Sequence, residues 1–127
     1  MKSFVMAVAR EHAGTWPVEQ LRQFGQAYMT DPERWMVDMG EDWIAVVADQ
    51  SIVEDIEPDA LNRMRIWPGG TEFFLVEART EAALRRYVET LPDDKNLLID
   101  NDHGWIADVR TYKRAIANND DWLHALA

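Results

Sequence analysis

The stretch RWMVDMGEDWIAVVA, residues 34–48, decides how the chain is read. Trp35, Val37 and Met39 alternate with Met36 and Asp38, the period-two pattern of a strand with two unlike faces. Gly40, Glu41 and Asp42 form a turn signal, and residues 43–48 are apolar throughout, as in a more deeply buried strand. The stretch therefore reads as a β-hairpin, with Trp35 on one arm and Trp43 on the other.

On the N-terminal side, residues 3–8 (SFVMAV) read as an opening strand. Thr15, Pro17 and Glu19 give a helix start, and Val18, Leu21, Phe24 and Tyr28 follow at helical spacing. Gly25 costs that helix about 1 kcal/mol relative to Ala, and Thr30-Asp31-Pro32 ends it.

On the C-terminal side, residues 50–61 are ambiguous between loop and short helix, because Pro58 interrupts Ile52, Val53 and Ile56. Residues 65–67, the turn Pro68-Gly69-Gly70 and residues 72–77 give the clearest hairpin signal. The continuous apolar run Phe73, Phe74, Leu75 and Val76 marks a central strand. Thr80 caps a helix through Leu91, with Leu84, Tyr87, Val88 and Leu91 on one face. Residues 96–100 (NLLID) form a short buried strand, and a polar loop, 101–104, leads to a helix facing inward with Val109, Tyr112 and Ile116. Asn118-Asn119 breaks it, and Asp120 or Asp121 caps a last turn carrying Trp122, Leu123 and Leu126. The expectation is one domain over residues 1–127. Its class is α+β, or mixed α/β, with helices packed on a sheet of about five or six strands.

The hairpin also lies in the most charged part of the chain. Residues 31–60 hold ten acids and one base, Arg34, so they carry nine of the ten net negative charges. The acids are Asp31, Glu33, Asp38, Glu41, Asp42, Asp49, Glu54, Asp55, Glu57 and Asp59. The remaining residues are close to neutral, with 13 acids against 12 bases. A pI near 4.6 argues against direct binding of nucleic acid or of anionic membrane surfaces. No secretory signal and no membrane-length apolar run are visible. The chain has no cysteine, which excludes disulfides, thiolate metal sites and cysteine nucleophiles and fits a cytoplasmic location.

The segment most suggestive of catalysis is Leu97-Leu98-Ile99-Asp100-Asn101-Asp102-His103-Gly104. An apolar strand ending in Asp-x-Asp resembles the opening of the haloacid-dehalogenase phosphatase site, in which the first Asp is a nucleophile near Mg²⁺. That family places its nucleophile near the start of a much longer chain, whereas only 27 residues follow Asp100, and the likeness is set aside. A calcium loop also fits poorly, because its twelfth position is Thr111 and not Glu. Asp100, Asp102 and His103 stay as the candidates for a metal-dependent site, and a polar strand-to-helix turn explains them more simply. His12 and His124 stand apart from them, neither serine has a nucleophile-elbow context, and Gly69-Gly70 lacks the Lys-Ser/Thr of a phosphate loop. No cofactor is indicated, and a non-enzymatic role is the favoured reading.

Six tryptophans are spread along the chain, and Trp35 and Trp43 lie within the acidic stretch. An apolar anchor ringed by carboxylates has the makeup of a protein-binding hot spot. The size, acidity, aromatic content and lack of cysteine resemble those of the small bacterial immunity proteins that neutralise cationic toxins. The resemblance implies a basic protein partner, toxin or nuclease-like. It would be bound through Trp35, Asp38, Glu41, Asp42, Trp43, Glu54, Asp55, Glu57 and Asp59. A mimic of nucleic acid, with carboxylates spaced like phosphates, is the main alternative, and a small metal-dependent enzyme is the other.

Overall fold

The computed structural model describes residues 1–13 and 16–124, and of Trp16 only the backbone. Strand β1 (Lys2–Ala9) is followed by two short helices, α1 (Arg10–Ala13) and α2 (Trp16–Leu21). Strands β2 (Tyr28–Asp31), β3 (Arg34–Asp38) and β4 (Trp43–Val47) form a meander. A 3-10 helix (Gln50–Asp55) and α3 (Pro58–Met64) lead to β5 (Thr71–Ala78), then α4 (Glu81–Thr90). Strands β6 (Leu97–Asp100) and β7 (Ile106–Ala107) and helix α5 (Val109–Ala117) complete the order.

All strand pairs are antiparallel, in one seven-stranded sheet of order β2-β3-β4-β5-β1-β6-β7. The class is α+β, with more strands than the five or six expected. The two extra strands are short ones: β2 in a segment expected to be helical, and the two-residue β7.

The sheet has two unlike faces. On the back face, Phe4, Met6, Val8, Val37, Ile44, Val46, Phe74, Val76 and Ile99 pack beneath α2, α4 and α5. Leu84, Tyr87 and Val88 of α4 and Val109, Tyr112 and Ile116 of α5 supply the helical half of this core, as their spacing predicts. Trp122 closes one end, edge-on to both Phe4 and Tyr112, with its Nε1 donating to Glu81. On the front face a smaller cluster, Val5, Ala7 and Phe73, is covered by Ile56 and Met64 with Ile52, Val53, Ala60 and Leu61 alongside. The 3-10 helix and α3 therefore cross only the β5–β1–β6–β7 part of the front face.

Two expectations need correction. The helix expected from Thr15 to Tyr28 ends at Leu21, and Tyr28 lies in a strand; its capping Thr15 is outside the described residues. Gly25 has φ +151°, which no helix accommodates, and its Cα lies so close to Val37 that an added Cβ would be 3.1 Å from Cγ1. The apolar spacing of Val18, Leu21 and Phe24 was real, since all three pack on the same core, but only the first two lie in the helix.

Residues 65–67 are not a strand, so Pro68-Gly69-Gly70 joins α3 to β5 and turns no hairpin. Gly70 donates to the carbonyl of Trp67, and the partners of β5 are β4 and β1. The ambiguous segment, residues 50–61, is the 3-10 helix and the start of α3. Asp49 caps the former through a bond from Ser51, and Pro58 opens the latter. The last expected turn is present at Trp122 and Leu123, both buried, while Leu126 lies outside the described residues.

Gly25→Ala separates the two readings of the segment before β2. In a helix it would stabilise the protein by about 1 kcal/mol. With φ +151° and Val37 in contact it should destabilise by about 1–2 kcal/mol, read as a lower urea midpoint at unchanged m-value.

Candidate functional site

Register fixes which way each side chain of the acidic hairpin points. Trp35 pairs with Val46 and Trp43 with Asp38, so the two tryptophans lie on opposite faces of the sheet. Trp35 packs against the back-face core. Trp43 is on the front face, half-buried, with the Arg34 guanidinium 5.7 Å above its ring. Arg34 also donates to Thr30 Oγ1 and lies 4.0 Å from Glu77. The only base of the acidic stretch is thus spent on the sheet surface.

The exposed apolar groups beside this hairpin are on the edge strand β2. Tyr28 is 41% exposed and Met29 57%. Tyr28 pairs with Met36 and so shares the front face with Trp43 and Asp38. Its hydroxyl donates to Asp38 Oδ2 at 2.6 Å, which holds the phenol protonated beyond its usual range. Nothing in the sequence pattern marks Tyr28 as part of this face while it is read as helical.

The ten acids divide by position. Asp31, Glu33 and Asp49 lie at one end of the hairpin, where Ala48 N–H bonds to the Glu33 carbonyl. Glu41 and Asp42 lie at the other. Asp38 is on the front face, and Glu54, Asp55, Glu57 and Asp59 are exposed on the 3-10 helix and α3, which cover the front face farther along. Asp42 and Asp49 do structural work. Asp49 caps the 3-10 helix. Asp42 accepts from the Trp43 N–H at 2.8 Å and from the Thr80 hydroxyl, so it ties the hairpin turn to the N-cap of α4. Burial opposes its ionisation, but the Thr80 hydroxyl and the Trp43 and neighbouring backbone N–H groups outweigh it and hold its pKa below the usual value.

Among the described residues, none of the ten acids has an ion pair within 4.0 Å. The acids that pair with Arg or Lys are all elsewhere, Glu19, Glu72, Glu77, Glu81 and Asp93, while Glu11 and Asp121 lie beside His12 and His124. The charge concentration seen in the sequence is therefore not neutralised by folding.

The Asp100–Gly104 loop meets part of the acidic stretch. A cleft of about 370 Å³ opens between α3 and the β6–β7 loop, lined by Glu57, Asp59, Ala60 and Arg63 on one side. Asp100, Asp102, His103, Gly104 and Ile106 line the other. Asp102 is left-handed, with φ 65°, and its N–H bonds to Asp100 Oδ1 at 2.8 Å. The loop is anchored by the buried Asn101, whose Oδ1 accepts from the N–H groups of His103 and Trp105 and whose Nδ2 donates to the Trp122 carbonyl. The expected polar turn is present, and Asn101 is its central residue.

Among the described residues, no group of three or more His, Asp or Glu side chains is placed to hold a metal ion. His103 stacks edge-on with His124 at 5.3 Å. No helix among those residues is long and apolar enough to cross a membrane. Comparison of the chain with protein-family models, with curated proteins and with solved structures finds no match.

Asp42 and Asp100 predict opposite pH behaviour. Asp100 is pushed up by burial and by the Asp102 charge, against the Asp102 N–H, Arg63 and His103. The fold therefore holds its proton more tightly than the unfolded chain does, and it costs stability as pH rises through the carboxylate range. Asp100→Asn should stabilise the protein by about 1 kcal/mol at neutral pH, with the gain vanishing in acid. Asp42, with its pKa lowered, contributes stability above the usual carboxylate range that is lost as pH falls. Asp42→Asn should destabilise by about 1 kcal/mol at neutral pH and converge with wild type in acid. Urea unfolding of the three proteins at several pH values measures both.

Proposed function

We propose that the protein binds a basic surface of another protein, as a small immunity-type inhibitor that covers a cationic toxin. The observation that carries this reading is that none of the ten acids of residues 31–60 has an ion pair within 4.0 Å among the described residues. Unpaired like charge raises the free energy of the folded state, and a cationic partner removes that penalty while it speeds encounter.

The contact surface in this reading is the front face. Asp38 and Glu41 lie at the hairpin, and Glu54, Asp55, Glu57 and Asp59 lie on the covering segment. Tyr28 and Met36 supply apolar contact at the β2 edge, with Trp43 beneath Arg34. Trp35 takes no part, because it is on the back face. Asp42 contributes charge, but its carboxylate is already committed to Thr80. The alternative of a nucleic-acid mimic asks for acids in a regular row. Here they are spread over two strands, β2 and β3, the turns beside them, a 3-10 helix and the start of α3, and form no single row along one element.

The test is a substitution set: Asp38→Asn, Glu41→Gln, Glu54→Gln, Asp55→Asn, Glu57→Gln and Asp59→Asn. A control changes the ion-paired Glu11 and Glu19 to Gln. Association with the cognate basic protein should weaken roughly 100-fold or more in the six-site variant and change little in the control. Wild-type binding should weaken steeply as salt is raised. Association that survives the six substitutions at low salt rules the reading out.

A further inference from the structure

Asp100 is a buried acid whose turn to Asp102 engages only one of its two carboxylate oxygens. It stands at the end of β6, on the front face, in register with Val5 on one side and Ile106 on the other. It is 3% exposed. A carboxylate there is costly unless it is paired. Its Oδ1 takes the Asp102 N–H, but among the described residues no hydrogen bond reaches Oδ2 and no ion pair within 4.0 Å reaches either oxygen. Arg63 lines the same cleft and acts on Asp100 through its charge alone. Nor is Oδ2 sealed in: the one fully enclosed side-chain polar atom lacking a partner among those residues is Arg85 Nε. The free oxygen of a nearly buried carboxylate therefore opens into the cleft.

We infer that this cleft receives the guanidinium of an arginine side chain from a basic partner, with Asp100 as the buried acceptor and Glu57, Asp59 and Asp102 around it. The inference rests on the basic-partner reading for the source of the arginine. Four carboxylates line the cleft against one permanent cation, Arg63, so its field favours a positive occupant. A volume of about 370 Å³ is larger than an ammonium group fills and has room for a planar, five-donor guanidinium on its stem. Asn101 holds the loop from behind, so the acceptors are placed before the ligand arrives.

The cleft also joins the two parts of the sequence that carry acids of interest. Glu57 and Asp59 belong to the acidic stretch, and Asp100 and Asp102 to the β6–β7 loop. An arginine inserted here would sit at the end of the acidic stretch with one buried carboxylate, Asp100, among its acceptors.

Methylguanidinium chloride titrated into the ¹⁵N-labelled protein tests the pocket without the partner. The amides of Asp102, His103 and Gly104 should shift in a saturable way, because the Asp102 N–H bonds directly to Asp100. Asp100→Asn should weaken this binding at least about tenfold, while Glu89→Gln, exposed on α4 across the sheet, should leave it unchanged. Tetramethylammonium, a cation without donors, should not produce the same shifts. Equal affinity in wild type and Asp100→Asn, or equal effects of the two cations, overturns the pocket. If the pocket fails while salt-sensitive association with a basic protein persists, the partner reading stands alone. If methylguanidinium binds as described but no basic protein does, the pocket stands and the source of its guanidinium is not a protein.

Discussion

The pairing of β1 with both β5 and β6 is the constraint on which the other arrangements depend. It sets Phe4 opposite Val76 and Val5 opposite both Leu75 and Asp100. The same register puts Phe4, Met6 and Val8 beneath α4 and α5 and turns Val5 and Ala7 toward α3. A slip of one residue would exchange the two sets, exposing the large core to the face that only α3 and a 3-10 helix cover. It would also move Asp100 out of line with Val5, and the cleft would lose its floor. These contacts join the first strand to distant parts of the chain, a non-local pairing of the kind that slows folding.

Electrostatics follows from that framework. On the back-face side Glu81 of α4 pairs with Arg85 and Glu19 of α2 with Arg22, while Glu89 of α4 has no ion pair within 4.0 Å among the described residues. The front face is crossed by the segment that carries Glu54, Asp55, Glu57 and Asp59, and no base stands within ion-pair distance of them among the described residues. Forgoing individual surface pairs costs the fold little, and the remaining cost is the mutual repulsion of clustered like charge. The consequence is an uneven field, because the net charge is concentrated in residues 31–60.

Much of the fold was legible because its signals are local. Thr80 caps α4 through its bond from Ala83, and the i, i+3, i+4, i+7 spacing of Leu84, Tyr87, Val88 and Leu91 needs nothing outside the segment to define a face. The hairpin at residues 34–48 was legible for the same reason. Where tertiary contact decided, local reading failed. Val18, Leu21 and Phe24 meet one core, but the helix ends at Leu21 and the chain turns through Gly25 into β2, which joins β3. Pro68-Gly69-Gly70 has the chemistry of a tight turn and makes one, yet what precedes it is α3, because β1 takes the place beside β5 that a hairpin arm would have filled.

The candidate site divides in the same way. The class, the long elements, the polar turn after β6 and the concentration of acid in residues 31–60 can all be read along the chain, since each follows from residue type and short-range spacing. Only the tertiary structure decided that Trp35 and Trp43 face apart, that Asp42 is bound to Thr80, and that Glu57 and Asp59 meet Asp100 across a cleft. Strand register and the packing of α3 on the sheet set those relations. Both are fixed by burying two apolar clusters at once, a requirement of the whole chain that no single segment carries.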